Sequence, residues 1–283
     1  MNFNNTPTWE KGHGQLAKLN LATSNNNQAE IYAHGAHLTD WRTAKGKQWI
    51  FTSRQATFEQ GKAIRGGVPI IFPQFNAFGR GPRHGFARTM IWHLLQPNDN
   101  QHCALCLESN ETTLPLWNHQ FAAQFNVDLD DNQLDMTLEV KNTDNKPFQF
   151  TAALHTYFAV TDVLQCRLMG LHGLKYWDND GSDFQSRKQE PSHELKFEGA
   201  IDRVYFDSTQ SLTLHDGQEQ LHIHNSGFKD VVVWNPGPEA AKSMSDMADD
   251  EWQRMLCVEA AAIDKPVTLQ PGETWKGRQS LQA

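Results

Sequence analysis

Two residues sit where the patterning of the chain argues against a polar group. The stretch "PFQFTAALHTYFAV" alternates with period two: Phe148, Phe150, Ala152 and Leu154 form one face, and Gln149, Thr151, Ala153, His155 and Tyr157 the other. His155 therefore stands on a face that is neither core nor plainly charged surface. Such a face, half-polar and lined by small residues, is what the floor of a cleft presents. In "MLCVEAAAI", Glu259 interrupts an apolar strand-like run, with Met255 and Cys257 on its own side and Val258 and Ala260 on the other. Burying a carboxylate is costly, and desolvation moves its pKa toward the range useful to a general base. Taken alone, each has a plainer reading: a strand histidine with its partners satisfied, and an edge-strand or salt-bridged glutamate.

A third feature is a loop of fixed and permissive backbone flanked by cations. "GGVPIIFPQF", Gly66 to Phe75, follows Arg65 and precedes "GRGPRHGFAR", so four arginines fall within 24 residues of a chain whose formal charge is −8. Glycines and prolines shape such a loop. Clustered guanidiniums in an acidic protein point to an anion, which their planar forks bind bidentately. Arg65 and Arg88 are the leading candidates; an isolated arginine would read as solvated surface charge.

The elements that must position these groups are strands. "FAAQFNVDL" turns Phe121, Ala123, Phe125, Val127 and Leu129 one way, and "LDMTLEVKN" does the same with Leu134, Met136, Leu138 and Val140. "DDNQ" and "TDNKP" turn the chain, Asp216-Gly217 marks a hairpin, and Pro271-Gly272 marks another turn. Helical periodicity is scarce. The best stretch is Ser243 to Leu256, where Ser245 would cap a short turn-rich helix followed by Asp246, Asp249 and Asp250. No repeat, low-complexity tract or linker is visible. The expected fold is all-β, a large antiparallel β-sandwich spanning residues 1–283 as a single domain.

Composition narrows the class further. With 39% apolar and 20% charged residues the chain reads as an ordinary globular protein. Its negative balance argues against a general nucleic-acid binder. "MNFNNTPTWE" lacks the pattern of a signal peptide, and no apolar run approaches membrane-spanning length. Cys103, Cys106, Cys166 and Cys257 form no framework, and the C-x-x-C of "HCALCLES" lies in a strand-like run without a helix start. The expectation is a cytoplasmic monomer with reduced thiols and a small-molecule substrate.

"RGGVPIIFPQF", "HGFAR", "LHTYF", "VVVWNP" and "MLCVEAA", in this order, resemble the hexose-6-phosphate mutarotases, or glucose-6-phosphate 1-epimerases, a branch of the aldose 1-epimerase (galactose mutarotase-like) superfamily. "AEIYAHGAHLTDW" is similar to that family's opening sheet, so nearly the whole chain is covered. The resemblance implies the supersandwich fold and interconversion of the α and β anomers of a hexose 6-phosphate, glucose 6-phosphate first. It implies that His155 and Glu259 are the catalytic pair and that Arg65 and Arg88 clamp the phosphate. It implies substrate contacts for Arg83, where relatives often have glutamine, for the adjacent His84, and for Asp202 in "DRVY". One departure is Gly237 after "WNP", where relatives commonly carry tryptophan; it bears on the rim near Lys242.

Mutarotation opens and recloses a hemiacetal, which needs an acid and a base near neutrality on opposite sides of the ring, without metal or cofactor. His155 as acid and Glu259 as base, 104 residues apart, must then converge across a cleft. Four other readings stay in view. A non-catalytic sugar-phosphate-binding module would need the arginines but not the pair, and a mutarotase of unphosphorylated aldoses the pair but not the arginines. A metal enzyme would draw on His222 and His224 in "HIH", or on His34 and His37, but no carboxylate follows "HIHNSGF" at a useful spacing. A glycosidase would pair Asp202 with Glu259 and leave His155 without a task.

Overall fold

The period-two segments become strands in the computed structural model, which describes residues 8–95 and 99–283; the first seven residues of the stretch read for a leader lie outside these. Phe121–Asp130 and Gln133–Asn142 pair in register from Phe121–Asn142 to Asp130–Gln133, with Asp131 and Asn132 as the tight turn. They belong to a nine-stranded antiparallel sheet that also holds Leu212–Asp216, Glu219–Ser226 and Thr274–Gln282. An eight-stranded sheet runs Lys188–Gln189, Lys175–Asp178, Ile201–Tyr205, Asp230–Asn235, Met255–Leu269, Phe148–Leu154, Ile70–Ile71, and Tyr157–Ala159 also pairs with its long strand. Glu10–Lys11, Ala17–Ala22, Gln28–Tyr32 and His37–Arg42 make a third, four-stranded sheet.

The inward residues of all three sheets share one buried apolar cluster. Leu134, Met136, Leu138 and Val140 meet Phe148, Phe150, Ala152, Leu154, Val258 and Ala260 across the sandwich, and Leu19, Ile31, Leu38 and Trp41 join from the small sheet. The eight-stranded sheet carries a second cluster on its outer face, with Ile71, Phe75, Ala153, Trp177, Val204, Val232 and Ala261. Its central strands are thus covered on both sides, which is why the run around Glu259 reads as continuously apolar. Glu259 lies on a central strand, not an edge. Cys103 and Cys106 lie three apart on the strand His102–Glu108, so their thiols leave opposite faces and stay free. Among the described residues no helix is long and apolar enough to cross a membrane.

The helix expected over Ser243–Leu256 does not form. Residues 243–250 run as turns, Glu251–Arg254 make a single 3-10 turn, and Met255 and Leu256 already belong to the long strand. The acidic residues there act as tertiary anchors instead of a helix face. Buried Glu251 accepts the Ser53 hydroxyl at 2.7 Å and the N–H groups of Arg54 and Ala248 at 2.9 Å each. Asp246 turns toward Arg65. The one α-helix among the described residues is Gly237–Lys242, begun by the Pro236–Gly237–Pro238 run, with Asn235 Oδ1 accepting the Gly237 N–H at 2.8 Å. Gly237 has φ +67°, and a Cβ there would press on the Ala200 backbone, so this rim has closed around glycine.

The arginine-flanked loop is held to the small sheet by a histidine. His37 Nε2 meets the Gly66 carbonyl at 2.8 Å, and burial pushes the His37 pKa down to about 3, so the ring is neutral and donates that proton. Gly67 has φ +65°, and a Cβ there would enter His37 Nε2 and the Leu38 carbonyl. Gly67→Ala is therefore expected to destabilise the protein by about 2–4 kcal/mol, through left-handed strain and overpacking together. Chemical denaturation measures this, and an unchanged midpoint would contradict it.

Candidate active site

The outer face of the eight-stranded sheet opens into a cleft of about 180 Å³, lined by Arg65, Asn76, Arg83, His84, Arg88, His155, Asp202, Glu259 and the aromatic residues Phe75, Tyr157 and Trp234, with Val232 and Met244. All seven residues singled out from the sequence are in this wall. Arg80, the fourth arginine of the cluster, and Lys242, which pairs with Glu239 at 3.1 Å, are exposed and not among its lining.

His155 follows the strand Phe148–Leu154, and Glu259 lies on the neighbouring strand Met255–Leu269. His155 Nε2 stands 3.3 Å from Glu259 Oε1. The expected acid and base thus lie side by side on one floor rather than on opposite sides of a ring. The chemistry accommodates this, because the anomeric hydroxyl and the ring oxygen are bonded to the same carbon. The His155 ring stacks on Tyr157, with centroids 4.8 Å apart and planes at 10°, and meets Trp234 edge-on at 6.0 Å. Each partner keeps a buried polar atom without a protein contact, His155 Nδ1 and Glu259 Oε2. Burial holds the Glu259 carboxyl well above the usual carboxylate range, and the Asp202 charge adds to this against the pull of Arg88. Burial likewise holds His155 well below its usual value, with His84, Arg88 and Arg65 pushing the same way.

The cationic side is built from both loops. Arg65 donates from Nη1 to the Tyr157 hydroxyl at 3.0 Å and from Nε to Asp246 Oδ1 at 3.2 Å, which leaves the rest of its fork to the cleft. Arg88 rides on the 3-10 turn Ala87–Thr89 and donates from Nη2 to the Arg83 carbonyl at 3.1 Å. Its Nε is buried without a partner, and burial pulls its pKa down. An unpaired buried guanidinium nitrogen in a cleft wall is a site waiting for an acceptor. Exposed Arg83 is steadied by Asn76 Oδ1 at 2.9 Å.

His84 adopts φ +65°, and its Nδ1 accepts the Asn76 N–H at 3.3 Å. Burial, with Arg88, Arg83 and Arg65, lowers its pKa to about 3. The ring is therefore neutral with its proton on Nε2, a donor for a sugar oxygen, and it faces His155 edge-on at 5.8 Å. Asp202 Oδ2 accepts from Asn179 Nδ2 at 2.8 Å, and burial raises its pKa.

Sequence reasoning missed Tyr157, Asn76, Trp234 and Asp246. Tyr157 and Trp234 carried a signal: Tyr157 shares the His155 face two residues on, and Trp234 lies beside Cys257 in register. Asp246 carried none, since only the tertiary fold brings it to Arg65. Elsewhere, His34 bonds the Lys62 carbonyl, and His222 and His224 pair with Thr213 and Ser211. Among the described residues no group of three His, Cys, Asp or Glu side chains is placed to hold a metal ion.

Residues 17–282 match the family model described as aldose 1-epimerase. The chain belongs to the aldose 1-epimerase family. A relative from Cenchrus ciliaris, named "Putative glucose-6-phosphate 1-epimerase", is 37% identical over 281 residues, covering 95% of this chain and 85% of its own. An Escherichia coli K12 protein of the same name is 32% identical over 264 residues, covering 87% and 84%. A crystal structure of a "putative mutarotase" from Salmonella typhimurium superposes with a TM-score of 0.87 at 28% identity, covering 98% of this chain and 93% of that one. Like these aldose 1-epimerase relatives, the chain is an all-β isomerase of the mutarotase type.

Proposed function

We propose that the cleft interconverts the α and β anomers of a hexose 6-phosphate, glucose 6-phosphate first. The observation that carries this is the 3.3 Å contact of His155 with Glu259 beneath a wall of three arginines. Glu259 takes the proton of the anomeric hydroxyl. The bond from C1 to the ring oxygen breaks, its electron pair goes to that oxygen, and the oxygen receives a proton from His155. The open aldehyde turns about the C1–C2 bond and closes from the other face, with His155 recovering its proton from the ring hydroxyl and Glu259 returning its own to O1. Each group ends as it began. Arg65 and Arg88, with Arg83 at the rim, hold the phosphate, while neutral His84 and Asp202 bond sugar oxygens. The relatives' names and the cation-lined cleft support the phosphorylated substrate over a free aldose, and four free cysteines fit a reducing cytoplasm.

Polarimetry with α-glucose 6-phosphate against α-glucose and α-galactose, with the enzyme-free rate subtracted, tests this. The sugar phosphate is expected to equilibrate fastest. Acceleration of free sugars alone would make the protein an ordinary aldose mutarotase, and binding without any acceleration would make it a sugar-phosphate-binding module.

A further inference from the structure

The core of the sandwich, directly behind the His155–Glu259 pair, contains a polar bridge. Gln279, on the strand Thr274–Gln282 of the nine-stranded sheet, and Thr156, next to His155, are both fully buried. The Thr156 hydroxyl donates to Gln279 Oε1 at 2.5 Å, and Gln279 Nε2 donates to the Val258 carbonyl at 3.2 Å. The bridge thus joins the residue after His155 to the residue before Glu259.

Its origin lies in the ladder. Leu154 pairs with Ala260 and Tyr157 with Cys257, a register that sets Thr156 against Val258. The Val258 N–H does reach the Thr156 carbonyl, at 3.2 Å. The return bond is missing, because the chain kinks at His155 and the Thr156 N–H closes onto the Leu154 carbonyl at 2.9 Å, while the His155 N–H goes to Pro69 at 3.0 Å. The kink leaves the Val258 carbonyl without its ladder donor inside an apolar core, and Gln279 replaces it. Neighbouring residues of a strand leave opposite faces. A clamp on Thr156 and Val258 from the core side therefore fixes the backbone that carries His155 and Glu259 on the cleft side.

We infer that Gln279 is a positioning residue, which holds the kink at His155 through Thr156 and the Val258 carbonyl and so sets the acid against the base. This rests on the assignment of His155 and Glu259 as the catalytic pair, and the test separates the two. In Thr156→Val/Gln279→Met the two bonded side-chain groups go together, so the Val258 carbonyl is the one polar partner of the bridge left stranded. The full-length variant is expected to fold, to lose roughly 10- to 100-fold in kcat with KM within about threefold, and to show displaced imidazole ¹⁵N resonances for His155 in the absence of substrate. Thr156→Ser, which keeps the hydroxyl, should restore both readouts to near the parent. A folded double variant with parental kcat and unmoved His155 resonances overturns the inference, as does a Thr156→Ser variant as impaired as the double. Should the double variant not fold, Thr156→Val alone, which keeps the Gln279–Val258 bond, takes its place: lowered kcat with displaced resonances supports the clamp, and parental values of both overturn it. An inactive parent enzyme would instead overturn the catalytic assignment, while the ring spectrum still reads the clamp.

Discussion

Glu259→Gln is expected to lower kcat by about 10²- to 10⁴-fold and leave KM within a few-fold, the signature of a group that acts on the transition state more than on binding. Glutamine keeps the shape and volume of a side chain that is 1% exposed, so loss of packing cannot account for such a defect. His155→Ala should fall in the same range. The double variant should be hardly worse than the worse single one, because two groups moving protons in one event act as a unit. The pH profile adds a sign. The base works deprotonated and the acid protonated, so kcat/KM should be bell-shaped in pH, with limbs that belong to the pair and not to either residue. Burial holds the Glu259 carboxyl above its usual range and His155 below its own, so both groups set where the bell lies. In Glu259→Gln only the His155 titration remains, and the rising limb should be gone. Near-parental activity in a folded Glu259→Gln variant would remove Glu259 as the base and leave Asp202, in the same wall, as the next candidate.

The arginines should respond in the other parameter. Arg88→Ala is expected to raise KM for the sugar phosphate by roughly 10- to 100-fold, the equivalent of one or two charge-assisted hydrogen bonds, with a smaller change in kcat. Arg88 is the cleaner probe, since its Nε has no protein partner and its bond from Nη2 goes only to the carbonyl of exposed Arg83. Arg65→Ala should match it in KM but also cost stability, because it releases the Tyr157 hydroxyl and Asp246. Steady-state kinetics on sugar phosphate and free sugar measure both. An unchanged ratio of the two substrates in both variants would mean that the anion is held elsewhere.

Much of the site was legible because alternation is a strict rule. Once "LHTYF" and "MLCVEAA" are taken as strands, His155 and Glu259 can only face away from the core formed by Leu154, Val258 and Ala260. Arg65 and Arg88 stood out as cations around fixed backbone in an acidic chain. The misreading at Ser243–Leu256 has a physical cause: methionines and aspartates at helical spacing resemble an amphipathic turn, but Asp246 and Glu251 are bound by Arg65, Ser53 and Arg54, which lie some two hundred residues earlier. The actual helix at Gly237–Lys242 went unread, although a proline at its first turn is a usual helix start. Gln279 was also legible in principle, as the polar residue between inward Gly277 and Leu281 in "TWKGRQSLQ". That it meets Thr156 and Val258 depends on how two sheets stack, which no single strand encodes.

The guanidinium wall also bears on the proposed acid. In the empty cleft burial drives the proton off His155, and His84, Arg88 and Arg65 push the same way. On the proposed assignment, a dianionic phosphate held by Arg65 and Arg88 would offset the arginines' share of that push, while the share of burial stays. A neutral sugar would offset none of it. Charge on a part of the substrate that never reacts would then favour turnover as well as binding.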